Sequence, residues 1–157
     1  PRQHARKLKT GKETEEQVYS AVREYREKYP NKVILYSTDA SSRFGWSVLF
    51  GGGSLPSLPK ISLPEFYTAL PSMQLVDGNN YSDNLWKLEN KGKSYLVYVK
   101  KLEDISINLS TYKGEFDVYC INQDTGLVTK TQTITGGKNC IIPSNDVKEK
   151  VVFIIKK

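Results

Sequence analysis

Apolar residues recur along this chain with two different periods, and the period changes near the middle. Between residues 14 and 29, Val18, Val22, Tyr25 and Tyr29 fall at i, i+4, i+7 and i+11, the stripe of an amphipathic helix. Thr14-Glu15-Glu16-Gln17 has the form of a capping box, in which hydroxyl and amide side chains satisfy orphan backbone donors. Glu15 and Glu16 suit the positive end of the helix dipole, Lys28 suits the negative end, and Pro30 stops the helix. Val33-Ile34-Leu35-Tyr36 then runs apolar without alternation, which predicts a strand buried on both faces, as in a parallel sheet. A polar turn carrying Asp39 follows, then a helix over residues 42–50 and the glycine run Gly51-Gly52-Gly53. Residues 54–59 read as a short extended segment, and residues 63–73 as one more helix with Pro64 in its first turn. This is α/β order, with too few units to close a sheet.

From Asn84 onward the period is two. Seven strands are predicted, near residues 84–89, 93–100, 104–109, 115–122, 126–133, 138–142 and 150–156. Turn signals separate most of them, among them Asn90-Lys91-Gly92, Lys113-Gly114, Asp124-Thr125-Gly126 and Gly136-Gly137. Tyr95, Val97 and Val99 alternate with Leu96 and Tyr98, and Phe116, Val118 and Cys120 alternate with Asp117, Tyr119 and Ile121. Short strands at this spacing argue for an antiparallel β-sandwich. The expected fold is therefore α+β overall: a partial α/β, TIM-barrel-like segment over residues 1–75 and a β-sandwich of about seven strands over residues 76–157.

Composition narrows the function classes. With 157 residues, 38% apolar and 25% charged, the chain can bury a real core. No apolar run is long enough for a membrane-spanning helix, and no membrane partner is expected. The first twelve residues are polar and basic, without the apolar stretch of a signal peptide, and residue 1 is Pro. The net charge of +6 is uneven: residues 1–60 hold eleven Lys and Arg against six Asp and Glu. That basic arm lacks interleaved aromatics and precedes no nucleic-acid-binding motif, so it reads as a solvated face or linker rather than a nucleic-acid site. His4 is the only histidine and has no Cys or Asp beside it, so neither a metal site nor a Ser-His-Asp triad can be built on it. Cys120 shares parity with core positions of its strand and reads as a small buried hydrophobe. A bridge to Cys140 is the alternative in an exported protein. The glycine run lacks the Lys-Ser/Thr of a phosphate loop and follows a helix rather than opening one, so it reads as a turn for close packing. No cofactor and no metal are expected.

Three groups of residues carry a family resemblance: Lys32-Val-Ile-Leu-Tyr-Ser-Thr-Asp39; Arg43-Phe-Gly-Trp46 with Leu49-Phe-Gly-Gly-Gly-Ser54; and, in the β half, Trp86-Lys-Leu88, Tyr95-Leu-Val-Tyr98, Ile105-Ser-Ile-Asn-Leu109 and Tyr119 through Gly126. On these the chain resembles the C-terminal part of bacterial glycoside hydrolases of the clan-A kind. In that family a (β/α)8 barrel is followed by a β-sandwich, sometimes given a collagen-binding label. The resemblance covers most of residues 13–157 and implies the last strands of the barrel followed by its accessory domain. It also implies a secreted or periplasmic parent acting on a polysaccharide or glycan, with the rest of the barrel as a partner.

In that family the nucleophilic Glu ends the seventh strand, and retaining chemistry holds two carboxylates roughly 5–5.5 Å apart. The matching position here is near Asp39, a shorter acid, and the strand bearing the second carboxylate is outside this chain, so the chain alone is expected to be inactive. Asp39 is thus a barrel-mouth carboxylate on one reading and the cap of the following helix on the other. Exposed aromatics can stack on sugar rings. Tyr81 and Trp86, beside the polar loop Asp77-Gly-Asn-Asn80, are the candidate glycan contacts. The second functional class is a stand-alone module binding polysaccharide or a matrix protein such as collagen.

Overall fold

The computed structural model of the chain describes residues 13–37, 41–76 and 84–157. Its architecture is α+β: a short helical stretch, then a larger antiparallel arrangement of six plus two strands. The chain divides after Leu58 into two compact units.

The first unit is built on α1 (Glu15–Lys28), whose capping box forms as the sequence predicts. Thr14 Oγ1 accepts from Gln17 N at 3.2 Å, and Gln17 Oε1 accepts from Thr14 N at 3.1 Å. One 3-10 turn at Ser41–Phe44 leads into α2 (Gly45–Phe50). Val18 and Val22 of α1 form a small core with Ile34, Phe44 and Val48. The glycine run permits this approach: a Cβ on Gly53 would lie 2.5 Å from Val48 Cγ1, and one on Gly51 would lie 2.9 Å from Val22 Cβ.

Residues 33–36 depart from expectation. The segment is extended but belongs to no strand ladder among the described residues. Tyr36 packs against the core, its ring edge-on to Phe44 at 6.0 Å, and Ile34 is buried in it. Ile34 is held by Ser54, whose N–H donates to Ile34 O at 2.7 Å and whose Oγ accepts from Ile34 N at 3.3 Å. Val33 and Leu35 are 71% and 63% exposed. A strand apolar on both faces needs a layer on each face and a neighbour on each edge. The core of this unit takes up only the Ile34 face.

The second unit opens with α3 (Pro64–Ala69) and a 3-10 turn at Leu70–Ser72, so the helix predicted over residues 63–73 forms in two pieces. Eight strands follow among the described residues: β1 (Gln74–Leu75), β2 (Leu85–Asn90), β3 (Ser94–Val99), β4 (Ile105–Asn108), β5 (Glu115–Ile121), β6 (Val128–Thr135), β7 (Asn139–Ile142) and β8 (Val151–Lys156). Seven match the predicted strands, and the two-residue β1 is an addition. One sheet has the order β1-β2-β3-β8-β5-β6, the other pairs β4 with β7, and every pairing is antiparallel.

The last strand is therefore central. The run Val151-Val-Phe-Ile154 is buried on both faces, which accounts for its lack of alternation. Between the sheets lie Val97, Ile105, Ile107, Phe116, Val118 and Ile154, all essentially inaccessible. On the other face of the large sheet, Phe66 of α3 meets Phe153 edge-on at 5.5 Å. The two sheets are unequal, and two strands cannot cover the inner face of six.

Candidate functional site: a polar groove between unequal sheets

Where the small sheet stops, a groove of about 1100 Å³ opens. Its floor comes from β1, β2 and β3, and its facing wall from β4 and the segments on either side of it. Register determines the chemistry of the floor. Lys87 lies opposite Val97 and Glu89 opposite Tyr95, so the two charged side chains share a face with residues of the sandwich core. Trp86 and Leu88 point to the other face, which is also buried.

The floor holds a compact charged group. Lys87 Nζ is 3.9 Å from Glu89 Oε2, and Lys91 Nζ is 3.8 Å from Glu89 Oε1. The Lys87 and Glu89 side chains are only 9% and 13% exposed. Burial holds the Lys87 ammonium below the usual lysine pKa, opposed by the charge of Glu89. Lys87 Nζ also stands 5.4 Å over the Tyr95 ring, within reach of a cation–π attraction. Burial raises the pKa of Tyr95, whose hydroxyl accepts the Gly92 N–H at 2.8 Å. Gly92 has φ +74°, and a Cβ there would run into the ring of Tyr112, another lining residue. Turn, Tyr95 and Tyr112 thus brace one end of the groove.

The facing wall is polar and half open. Ile105 and Ile107 of β4 point into the core, whereas Ser106 and Asn108 are exposed and line the groove. Ser106 Oγ donates to Asn139 Oδ1 at 3.2 Å. Asn108 Oδ1 accepts from Ser110 N at 3.1 Å and Ser110 Oγ at 2.7 Å, which leaves the amide nitrogen of Asn108 as the group it offers a ligand. Among the described residues, β4 pairs with β7 alone. This set of donors and acceptors, with the partly buried ring of Tyr112, suits a polyhydroxylated ligand. No cluster of three or more His, Cys, Asp or Glu positioned to hold a metal occurs among the described residues. Nor is any described helix long and apolar enough to cross a membrane. A second charged group on β5 is satisfied within the sheet: Asp117 accepts from Lys130 Nζ at 2.6 Å and from Thr133 Oγ1 at 2.7 Å.

The predicted site residues fall as follows. Asp39, Tyr81 and His4 lie outside the described residues. Trp86 is 3% exposed, its ring stacked on Tyr98 at 5.0 Å with Lys100 Nζ 5.3 Å above it, so a glycan would have to displace packing to reach that ring. Cys120 and Cys140 are buried, unbridged thiols. The loop singled out in the sequence, Asp77–Asn80, also lies outside the described residues; Val76, the last described residue before it, lines the groove. Lys87, Glu89, Tyr95, Asn108 and Tyr112 were not picked out by sequence reasoning. Trp-Lys-Leu-Glu reads as an ordinary strand with a solvent face, and no local signal shows that its polar side is turned inward.

Comparisons with known proteins add distant similarity only. A family model described as a domain of unknown function (DUF6298) matches residues 1–73, somewhat less than half of the chain. No curated protein matches. Among solved structures the chain has weak, low-identity similarity to several glycoside hydrolases. One, described as a glycoside hydrolase, is 12% identical, with 78% of this chain and 38% of that one covered and a TM-score of 0.44. A glycoside hydrolase family 5 protein from Bacteroides vulgatus is 11% identical, covering 74% and 35%, with a TM-score of 0.45. A family 44 xyloglucanase from Paenibacillus polymyxa is 12% identical, covering 91% and 35%, with a TM-score of 0.38. The chain spans little more than a third of the length of these proteins.

Proposed function

We propose that this chain is the non-catalytic C-terminal part of a larger carbohydrate-active hydrolase, and that its β-sandwich contacts glycan through the groove between the unequal sheets. The groove carries this reading. Its floor presents a buried Lys87–Glu89 pair beside Tyr95, and its wall presents hydroxyls and amides at Ser106, Asn108 and Ser110. A sugar chain offers the alternating donors, acceptors and apolar ring faces that such a surface takes. The family resemblance in residues 13–157 points the same way. So does the extended segment at residues 33–36, whose exposed Val33 and Leu35 suit a strand inside a larger parallel sheet. In such a parent, acting outside the cytoplasm, Asp39 is either a carboxylate at the barrel mouth or a helix cap. Unchanged turnover in an Asp39→Ala parent assigns it to the cap.

The second edge of β4, which pairs with no strand among the described residues, favours a second reading, in which an extended segment of a matrix protein pairs with it. Inward-pointing charges such as Lys87 and Glu89 discourage that pairing, because a strand laid there would desolvate them. The test is affinity electrophoresis of the 157-residue chain through gels containing soluble polysaccharides, with a collagen peptide assayed in parallel. Retardation by a polysaccharide, weakened in Glu89→Gln and Asn108→Ala proteins of unchanged circular dichroism, is the expected result. Binding to the peptide alone, or retardation indifferent to both substitutions, removes the glycan reading.

A further inference from the structure

The polar positions of the groove repeat along its length. On the floor Lys87 and Glu89 are two residues apart on β2, and on the wall Ser106 and Asn108 are two apart on β4. Side chains on one face of a strand recur roughly every 6.5–7 Å, so each side of the groove is a row and not a point. Lining residues run the whole length of β2, from Leu85 to Asn90, a span of roughly 17–20 Å. The volume of about 1100 Å³ lies at or above the usual upper end for small-molecule pockets, roughly 1,000 Å³. The charges lining the groove nearly balance, Lys87 and Lys91 against Glu89, Glu103 and Asp104, with both lysines within 4 Å of Glu89.

From this geometry we infer that the groove takes an internal stretch of a linear, neutral oligosaccharide lengthwise along β2, using several successive sugar units, rather than a monosaccharide or a chain end. The inference rests on the glycan reading above and adds ligand length and binding mode to it. Repeating hydroxyls meet repeating polar groups, so each further sugar adds contacts until the rows are filled. Beyond that length affinity stops rising. Because the recognised groups belong to interior units, the reducing end of the ligand does not matter.

The experiment is calorimetric titration of the 157-residue chain with neutral ladders of gluco-, xylo- and manno-oligosaccharides, from monosaccharide to hexasaccharide. Each tetrasaccharide is also used with its reducing end converted to the alditol. In at least one ladder, affinity is expected to rise at least about tenfold from mono- to tetrasaccharide and then level off, with the alditol binding as tightly as its parent. Glu89→Gln and Asn108→Ala should lower the plateau. A monosaccharide that binds as tightly as the tetrasaccharide, or an alditol that does not bind, overturns the lengthwise mode while leaving glycan recognition standing. Absence of binding in every ladder overturns both.

Discussion

Lys87 sets its ammonium on the inner face of β2, where burial holds its pKa below the ordinary 10.5. The unfolded chain then binds that proton more tightly than the folded chain does. The group therefore costs stability at neutral pH, and the cost is relieved as the pH rises through the folded pKa towards the unfolded one. Lys87→Met keeps most of the stem and removes the charge. The variant should be more stable than the parent by about 1 kcal/mol at pH 7, a difference that narrows as the pH approaches 10.5. Urea midpoints measured against pH check this. The same variant should bind glycan less well, because a residue kept at a cost to the fold is the mark of a binding surface. Equal stability at both pH values would show that the buried charge is fully compensated. Nothing in the sequence near Lys87 separates it from an exposed strand lysine, because the alternation of β2 is the same whichever of its faces is covered.

At the scale of elements, local chemistry and structure agree where the instruction is short-range. The capping box at Thr14 and Gln17, the stop at Pro30 and the start at Pro64 all act within one helical turn, and each lies where the sequence places it. Asn90-Lys91-Gly92 was legible as a turn for the same reason. Its second task was not, since the Tyr112 ring that closes on Gly92 comes from the segment after β4. Gly92→Ala therefore meets two penalties, a positive φ and a steric conflict with that ring. It should destabilise the chain by more than about 1 kcal/mol in urea denaturation. Hydrogen exchange should quicken first at the amides of the β2–β3 hairpin. A loss confined to a few tenths of a kcal/mol would mean that Tyr112 moves aside freely.

Across the whole molecule, the extended segment at residues 33–36 is the element least matched to its surroundings. Val33 and Leu35 are exposed, and no ladder uses its backbone among the described residues. An uncovered apolar edge invites pairing with another chain. The 157-residue chain should accordingly self-associate at high concentration in sedimentation velocity. The Val33→Thr/Leu35→Lys double substitution should shift it towards monomer without changing its circular dichroism. Association unaffected by the double substitution would place the sticky surface elsewhere.

The sequence by itself determined the helices and the seven longer strands, though not the unpaired state of residues 33–36 or the short β1, and that α/β order gives way to an antiparallel sandwich. Those properties follow from periodicity, caps and turn residues, which act over a few neighbouring positions. The tertiary structure alone decided that β8 sits within the large sheet, between β3 and β5, and that the second sheet holds two strands among the described residues. It alone decided that the polar side of β2 faces inward and that Trp86 turns to a buried opposite face. The physical reason is that a strand's pattern distinguishes its two faces without saying what covers them. When both faces of a sheet are covered, the usual rule that polar means solvent no longer holds. Here that exception assembled Lys87, Glu89, Tyr95 and Asn108 into one groove from the successive strands β2, β3 and β4.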